Sequence, residues 1–218
     1  MILKIAITGG PGAGKTSCFE FLKQNKDKFI KQGFIPLFVP EAATYLLENE
    51  LTARNDIISF QTDITKFQIN KENEMINKYT KYPKDESLPN NNVKSPPSKQ
   101  NYIMFCDRGI MDGKAFLGKE LFDKVLNNVN IKEDEIFPRY DYVIHLISPA
   151  RECPENYTLK TNKNRTENLK EAGEIDIKTE YVWEEHPGYV QITNASGVPG
   201  KYKDVLDFAL DLIKKQKE

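Results

Sequence analysis

An α/β domain built on a parallel sheet follows from three features of the chain. It opens with a nearly unbroken apolar run, a glycine loop converts that run into a helix, and strand-like and helix-like segments then alternate to the end. The opening run, Ile2-Leu3-Lys4-Ile5-Ala6-Ile7-Thr8, suits a strand buried on both faces. Residues 15–31 follow as a helix with Phe19, Leu22, Phe29 and Ile30 on one side. Phe34 to Val39 is a second strand, closed by Pro40, and a short helix starts at Glu41. Asp56 stands where an N-cap belongs, ahead of a long helix to about Tyr79. Tyr102–Asp107, Tyr140–Ile147 and Tyr189–Thr193 supply three more strands. Leu169, Ala172, Ile175 and Val182 recur at helical spacing before the last of these. A final helix, roughly 200–216, places Tyr202, Val205, Leu206, Ala209 and Leu212 on one face. Only residues 83–101 break the alternation. Polar, rich in proline and without apolar periodicity, they read as a disordered insert within a single domain spanning 1–218.

Composition narrows the function. Lys plus Arg number 31 against 32 Asp plus Glu, which leaves no global field for nucleic acid. The Lys-rich stretch 66–84 is offset by Glu72 and Glu74 and reads as a solvated helix face. Cys18, Cys106 and Cys153 are too few and too scattered for a disulfide framework or a zinc site. No apolar run approaches the ~20 residues that span a bilayer. The start reads as a strand rather than a signal peptide. A cytoplasmic protein without a membrane span is the expectation.

The strongest signal is Gly9-Gly10-Pro11-Gly12-Ala13-Gly14-Lys15-Thr16, the pattern G-x-x-x-x-G-K-[ST] between a buried strand and a helix. Glycines let backbone N–H groups turn inward around phosphate oxygens, and the helix N-terminus adds positive dipole. Gly10 to Ser17 are therefore the candidate phosphate contacts. Lys15 would neutralise the terminal phosphates, and the Thr16 hydroxyl would ligate Mg²⁺. ATP or GTP with Mg²⁺ is the expected cofactor.

Ligands of open parallel sheets sit beyond the C-terminal ends of the strands. Asp107 ends the third strand as a second anchor for Mg²⁺, or as an N-cap of the next segment. Arg108 either holds a substrate anion or pairs with Asp107. Glu41 ends the second strand, as a proton acceptor for a substrate hydroxyl or as a first-turn acid on a helix dipole. In the long helix, Ile57, Gln61, Ile64, Gln68, Lys71 and Met75 form one stripe flanked by Phe60 and Phe67. Gln61 and Gln68 interrupt that inward face, and their amides need either backbone or ligand partners. Arg151 and Arg165 follow the fourth strand. Arg165 either closes over the γ-phosphate or pairs with Glu167 or Glu171. Trp183 and His186-Pro187 read as packing and turn residues. The loop at Asn194 follows the fifth strand, where its backbone could read a nucleotide base.

These motifs together resemble the NadR-like P-loop domain family, sometimes labelled AAA-like. The resemblance rests on Thr8–Thr16, Val39–Thr44, Cys106–Phe116, Tyr140–Ile147, Tyr157-Thr158-Leu159 with Arg165 and Glu167, Trp183, His186-Pro187 and Ile192-Thr193-Asn194. It looks closest to the nucleotide-binding domain of the translocation-defect proteins of photoreceptor trafficking. The resemblance implies a P-loop kinase-like fold of strand order 2-3-1-4-5, with Glu41, Asp107 and Arg165 at motif positions. Two kinds of activity come with it. Nicotinamide riboside kinases move the γ-phosphate of ATP to a ribose hydroxyl. GTP-binding trafficking factors work through protein partners and carry a C-terminal phosphoinositide-binding domain of the CYTH type. This sequence ends at Glu218 without that domain, so phosphoinositide binding is not expected. The reading is a phosphotransferase, or a slow hydrolase, acting on a small hydroxyl acceptor; the alternative is a non-catalytic nucleotide switch or scaffold.

Overall fold

The computed structural model describes residues 1–48, 56–81, 100–157 and 167–217. Five strands form one parallel sheet: β1 (Ile2–Thr8), β2 (Phe34–Val39), β3 (Asn101–Asp107), β4 (Tyr142–Leu146) and β5 (Tyr189–Ile192). Their order is β2-β3-β1-β4-β5, the order the family resemblance implies. The register aligns the strand ends that matter. Ile7 pairs with Asp107 on one side of β1, and Thr8 pairs with His145 on the other. The first strand therefore delivers its loop between the C-terminal ends of β3 and β4.

Helices cover both faces: α1 (Lys15–Gln24), α2 (Lys26–Lys31), α3 (Ala42–Glu48), α4 (Ile57–Lys81), α5 (Asp112–Leu117), α6 (Lys119–Val129), α7 (Pro149–Glu152), α8 (Leu169–Trp183) and α9 (Gly197–Lys215). Successive strand side chains alternate between faces. Leu3, Ile5 and Ile7 join Leu22, Phe29, Phe105, Val205 and Ile213 on the side of α1 and α9. Ala6, Met104 and Cys106 join Phe122, Val143 and Trp183 on the other side.

Three helical expectations change. The helix expected over residues 15–31 breaks at Asn25, whose side-chain amide donates to Phe21 O at 2.8 Å. A short amide that bonds the preceding turn competes with helix continuation. In α8 the inward face is Ala172, Asp176, Thr179, Val182 and Trp183, while Leu169 is 41% exposed. In α4 the buried positions are Thr62, Thr65, Gln68 and Glu72, and Ile57 faces outward. Glu72 is thus no part of a solvated face. It is fully buried and ion-paired with Lys4 and Arg139. The expected insert, apart from Gln100 and Asn101, falls outside the described residues, and Asn101 already opens β3. Among the described residues, no helix is long and apolar enough to cross a membrane.

Candidate functional site

The glycine loop leaves β1 at Thr8 and enters α1 at Lys15. Gly9 and Gly14 adopt φ of 138° and 92°, which favours glycine. Each is also closely approached: a Cβ on Gly9 would lie 2.2 Å from Leu146 O, and one on Gly14 2.7 Å from the Tyr202 hydroxyl. The start of α1 has no side-chain cap and no acidic residue in its first turn. Its N–H groups and dipole are left for an anion. Lys15 folds back over the loop and donates to Gly9 O at 2.7 Å and Gly10 O at 3.0 Å. Burial and the neighbouring Arg108 charge lower its pKa to about 8, against Asp107, Glu41 and Asp112.

Beside the loop lies a cavity of about 180 Å³ between α4 and the β3–α5 turn. Phe60, Ile64, Ile110 and Phe116 form its apolar wall; Glu41, Gln61, Gln68, Asp107, Arg108 and Asp112 bring polar groups to it. Arg108 holds it together from a left-handed backbone, φ 71°. Its Nε donates to Glu41 Oε1 at 2.8 Å and its Nη1 to Asp112 Oδ2 at 3.1 Å. Of the two alternatives for Arg108, a substrate anion or a pairing with Asp107, the second is not what forms: the strained turn points the guanidinium at Glu41 and Asp112. Asp112 also accepts from Thr8 Oγ1 at 2.7 Å and from the Trp183 indole N–H at 2.8 Å.

The two sequence-predicted carboxylates differ sharply. Burial acts to raise the pKa of Glu41. The Arg108 charge, hydrogen bonds from Arg108 and Thr44, and the Lys15 charge outweigh it and hold it down at about 2. Asp107 is pushed up to about 7 by its burial and by the Glu41 charge, against Lys15 and Arg108. Its Oδ1 is buried without a hydrogen-bond partner among the described residues. An orphaned carboxylate oxygen is costly unless a ligand or ion completes it. Asp107 is not used as an N-cap: Met111 precedes α5, without a side-chain cap.

The structure thus brings together Gly10–Ser17 as one loop and helix start, and Lys15, Glu41, Asp107 and Arg108 as one electrostatic cluster. Gln61 and Gln68 both reach the cavity, but only one amide is spent: Gln68 Nε2 donates to Glu72 Oε1 at 2.9 Å and to Arg108 O at 3.4 Å. The Gln61 amide makes no hydrogen bond to a described residue. Thr16 is exposed and lines a shallow groove with Ser17 and Tyr202, apart from the cavity that Asp107 lines. Asn194 lies across the sheet beyond β5. Its N–H and Nδ2 donate to Glu152 Oε2 at 2.7 and 2.8 Å, and Lys201 Nζ donates to its Oδ1 at 3.0 Å. That loop's first N–H is therefore spoken for before any base arrives. Arg165 lies outside the described residues. Arg151 is tied to Asp176 at 3.1 Å and to Glu180. Among the described residues, no group of three or more His, Cys, Asp or Glu forms a metal cage.

Sequence reasoning missed Asp112 and Asp176. Asp112 stands four residues after Arg108, a spacing that pairs opposite charges on a helical turn. Asp176 is an acid at an inward position of α8, a signal masked by choosing Ile175 for the stripe. A family model described as an AAA domain matches residues 4–198, which takes in the loop, the cavity and β5. No curated protein matches the chain.

Proposed function

The chain belongs to the AAA domain family, and from that premise we propose that it is a Mg²⁺-dependent P-loop phosphotransferase acting on a small hydroxyl acceptor. The NadR-like motifs and the likeness to translocation-defect proteins favour that branch of the P-loop proteins. The observation that carries the proposal is an acceptor-sized cavity, walled by aromatic rings and three carboxylates, whose lining residue Arg108 also reaches the phosphate loop at Gly9 O, 3.5 Å away. ATP or GTP would lie with its phosphates on Gly10–Ser17, and Lys15 would leave Gly9 O and Gly10 O for the terminal phosphates.

The donor set fits Mg²⁺ of the kind that shares its shell with phosphates and water and takes one or two protein oxygens. Asp107 Oδ1 has no hydrogen-bond partner among the described residues, and the Thr16 hydroxyl is open at the helix start. Bound there, the ion would neutralise phosphate charge during transfer. Arg108 would orient the acceptor by fixing Glu41, the Gln61 amide would bond it, and Phe60 and Phe116 would exclude water. Glu41 would receive the hydroxyl proton once an entering substrate draws Arg108 away from it. Arg165 is proposed as the residue that closes over the γ-phosphate.

One feature favours a second reading. While Arg108 holds Glu41 at a pKa of about 2, Glu41 is a poor base, which suits a protein that binds nucleotide as a switch or scaffold and hydrolyses it slowly. Incubating the pure protein with γ-labelled ATP or GTP and a nucleoside panel, with and without EDTA, separates the two. Label on an acceptor supports transfer; retained nucleotide with only slow phosphate release supports the switch.

A further inference from the structure

Asp176 has no part in the chemistry above, yet its carboxylate takes a backbone N–H of the phosphate loop. It is fully buried on α8. Its Oδ1 accepts the Gly10 N–H at 2.6 Å and the Ser148 N–H at 3.2 Å, and stands 3.2 Å from His145 Nε2. Its Oδ2 accepts from Arg151 Nη1 at 3.1 Å. Ser148 adds a second tie, its hydroxyl donating to Pro11 O at 2.6 Å. Burial opposes ionisation, but the bonds from His145, Gly10 and Arg151 keep the carboxyl below its usual pKa. It therefore faces Gly10 as an anion.

The peptide between Gly9 and Gly10 connects this anion to the functional lysine. No peptide bond among the described residues is cis. In a trans peptide, C=O and N–H point opposite ways in one rigid plane. Here the N–H of Gly10 is held by Asp176, and the O of Gly9 is held by Lys15 Nζ at 2.7 Å. Fixing one end fixes the other. The fit also explains Gly10 itself: a Cβ there would lie 2.6 Å from the Asp176 Cβ.

We propose that Asp176 is the positioning residue of the phosphate loop: it grips the Gly9–Gly10 peptide from behind and presets the loop for a nucleotide that Asp176 never touches. The inference rests on the reading of the loop as a nucleotide site. A loop held in its binding shape does not lose that conformational freedom on association, so the grip is felt as affinity.

The test titrates Mg-ATP and Mg-GTP into wild type, Asp176→Asn and Asp176→Ala, and follows the Gly10 amide by NMR. Asparagine keeps an acceptor oxygen for Gly10 but drops the charge, so its affinity is expected to stay within about threefold of wild type. Alanine removes the acceptor and is expected to weaken binding by about tenfold or more. Unchanged affinity in the alanine variant overturns the proposal. So does an equal loss in both variants, which would mean that the charge on Arg151 and His145 is what matters. Should the alanine variant not fold, wild type decides: a Gly10 proton shifted well downfield and slow to exchange supports the grip, and an ordinary, fast-exchanging amide refutes it. Wild type that binds neither nucleotide would instead overturn the nucleotide-site reading, and this proposal with it.

Discussion

Glu72→Ala is expected to cost the protein about 3–5 kcal/mol of stability, the penalty of leaving a buried charge without its counter-ion. The side chain is fully buried on α4. Its carboxylate pairs with Lys4 and, at 2.8 Å, with Arg139; it also accepts from the Tyr140 hydroxyl at 2.8 Å and from Gln68 Nε2 at 2.9 Å. Burial works to raise its pKa, but the charges of Lys4 and Arg139 outweigh it and keep the carboxyl below its ordinary value. Truncation strands the ammonium of Lys4, a side chain only 8% exposed on the central strand. For a chain of this length, 1 kcal/mol moves the midpoint by about 2–4 °C, so Tm falls by roughly 6–20 °C. Urea unfolding followed by circular dichroism measures the loss directly. The sign with pH follows from linkage: a depressed carboxylate contributes above the unfolded pKa of 4.5 and ceases to contribute as pH falls through its folded value. The gap between wild type and variant should therefore narrow in acid. Replacing Lys4 and Glu72 together by Met is expected to recover part of the loss, because Lys4 is then no longer stranded, while Arg139 and the Tyr140 hydroxyl still lack their acceptor. A loss under about 1 kcal/mol at neutral pH would show that the pair is not ionised in the core and would refute the reasoning.

Lys15→Ala should abolish nucleotide binding in isothermal titration, and wild-type affinity in that variant would remove Lys15 from the phosphate site. Glu41→Gln should leave nucleotide affinity intact while lowering turnover at least about tenfold in the label-transfer assay; unchanged turnover would take Glu41 out of the chemistry. Asp107→Asn should stabilise the ligand-free protein, and more at pH 8 than at pH 5. With the folded pKa raised from 3.8 to about 7, the folded state keeps a proton that the unfolded chain sheds, so wild-type stability falls as pH rises through that interval. The difference between the two pH values is bounded by about 3 kcal/mol, since only the interval from pH 5 to the folded pKa separates them; thermal unfolding at both reads it, and an equal shift at both contradicts the buried-acid account.

The parallel sheet was legible because strands such as β1 are buried on both faces and show it as continuous apolar sequence. The phosphate loop was legible because its geometry admits few residue types. What stayed hidden depends on polar residues at inward positions. Glu72, Asp112 and Asp176 look like solvated acids in a linear reading, since their partners lie 68, 104 and 166 residues away at Lys4, Thr8 and Gly10. A periodicity built on apolar residues skips them by construction, so the α4 and α8 stripes share only Gln68, Ala172 and Val182 with the buried faces. Gln68 was visible as an anomaly, but its partner Glu72 was not, so backbone and ligand were the only partners considered.

The charge balance of the site argues for a metal independently of any motif. Around the cavity and loop, Lys15 and Arg108 bring two positive charges, and Glu41 and Asp112 return two negative ones. Asp107 adds a further negative charge whenever it ionises, which its pKa of about 7 allows near neutrality. The ligand-free cluster is thus neutral or slightly anionic, a poor host for a polyphosphate carrying several negative charges in a partly buried setting. Entry of a nucleotide demands extra positive charge, and it can come from a divalent ion, a proton on Asp107 or an arginine such as Arg165. A divalent ion would satisfy the orphaned Oδ1 of Asp107 and leave that carboxylate charged, whereas a proton would neutralise it. The same balance explains why Arg108 pairs with Glu41: a guanidinium left unpaired here would be as costly as an unpaired acid.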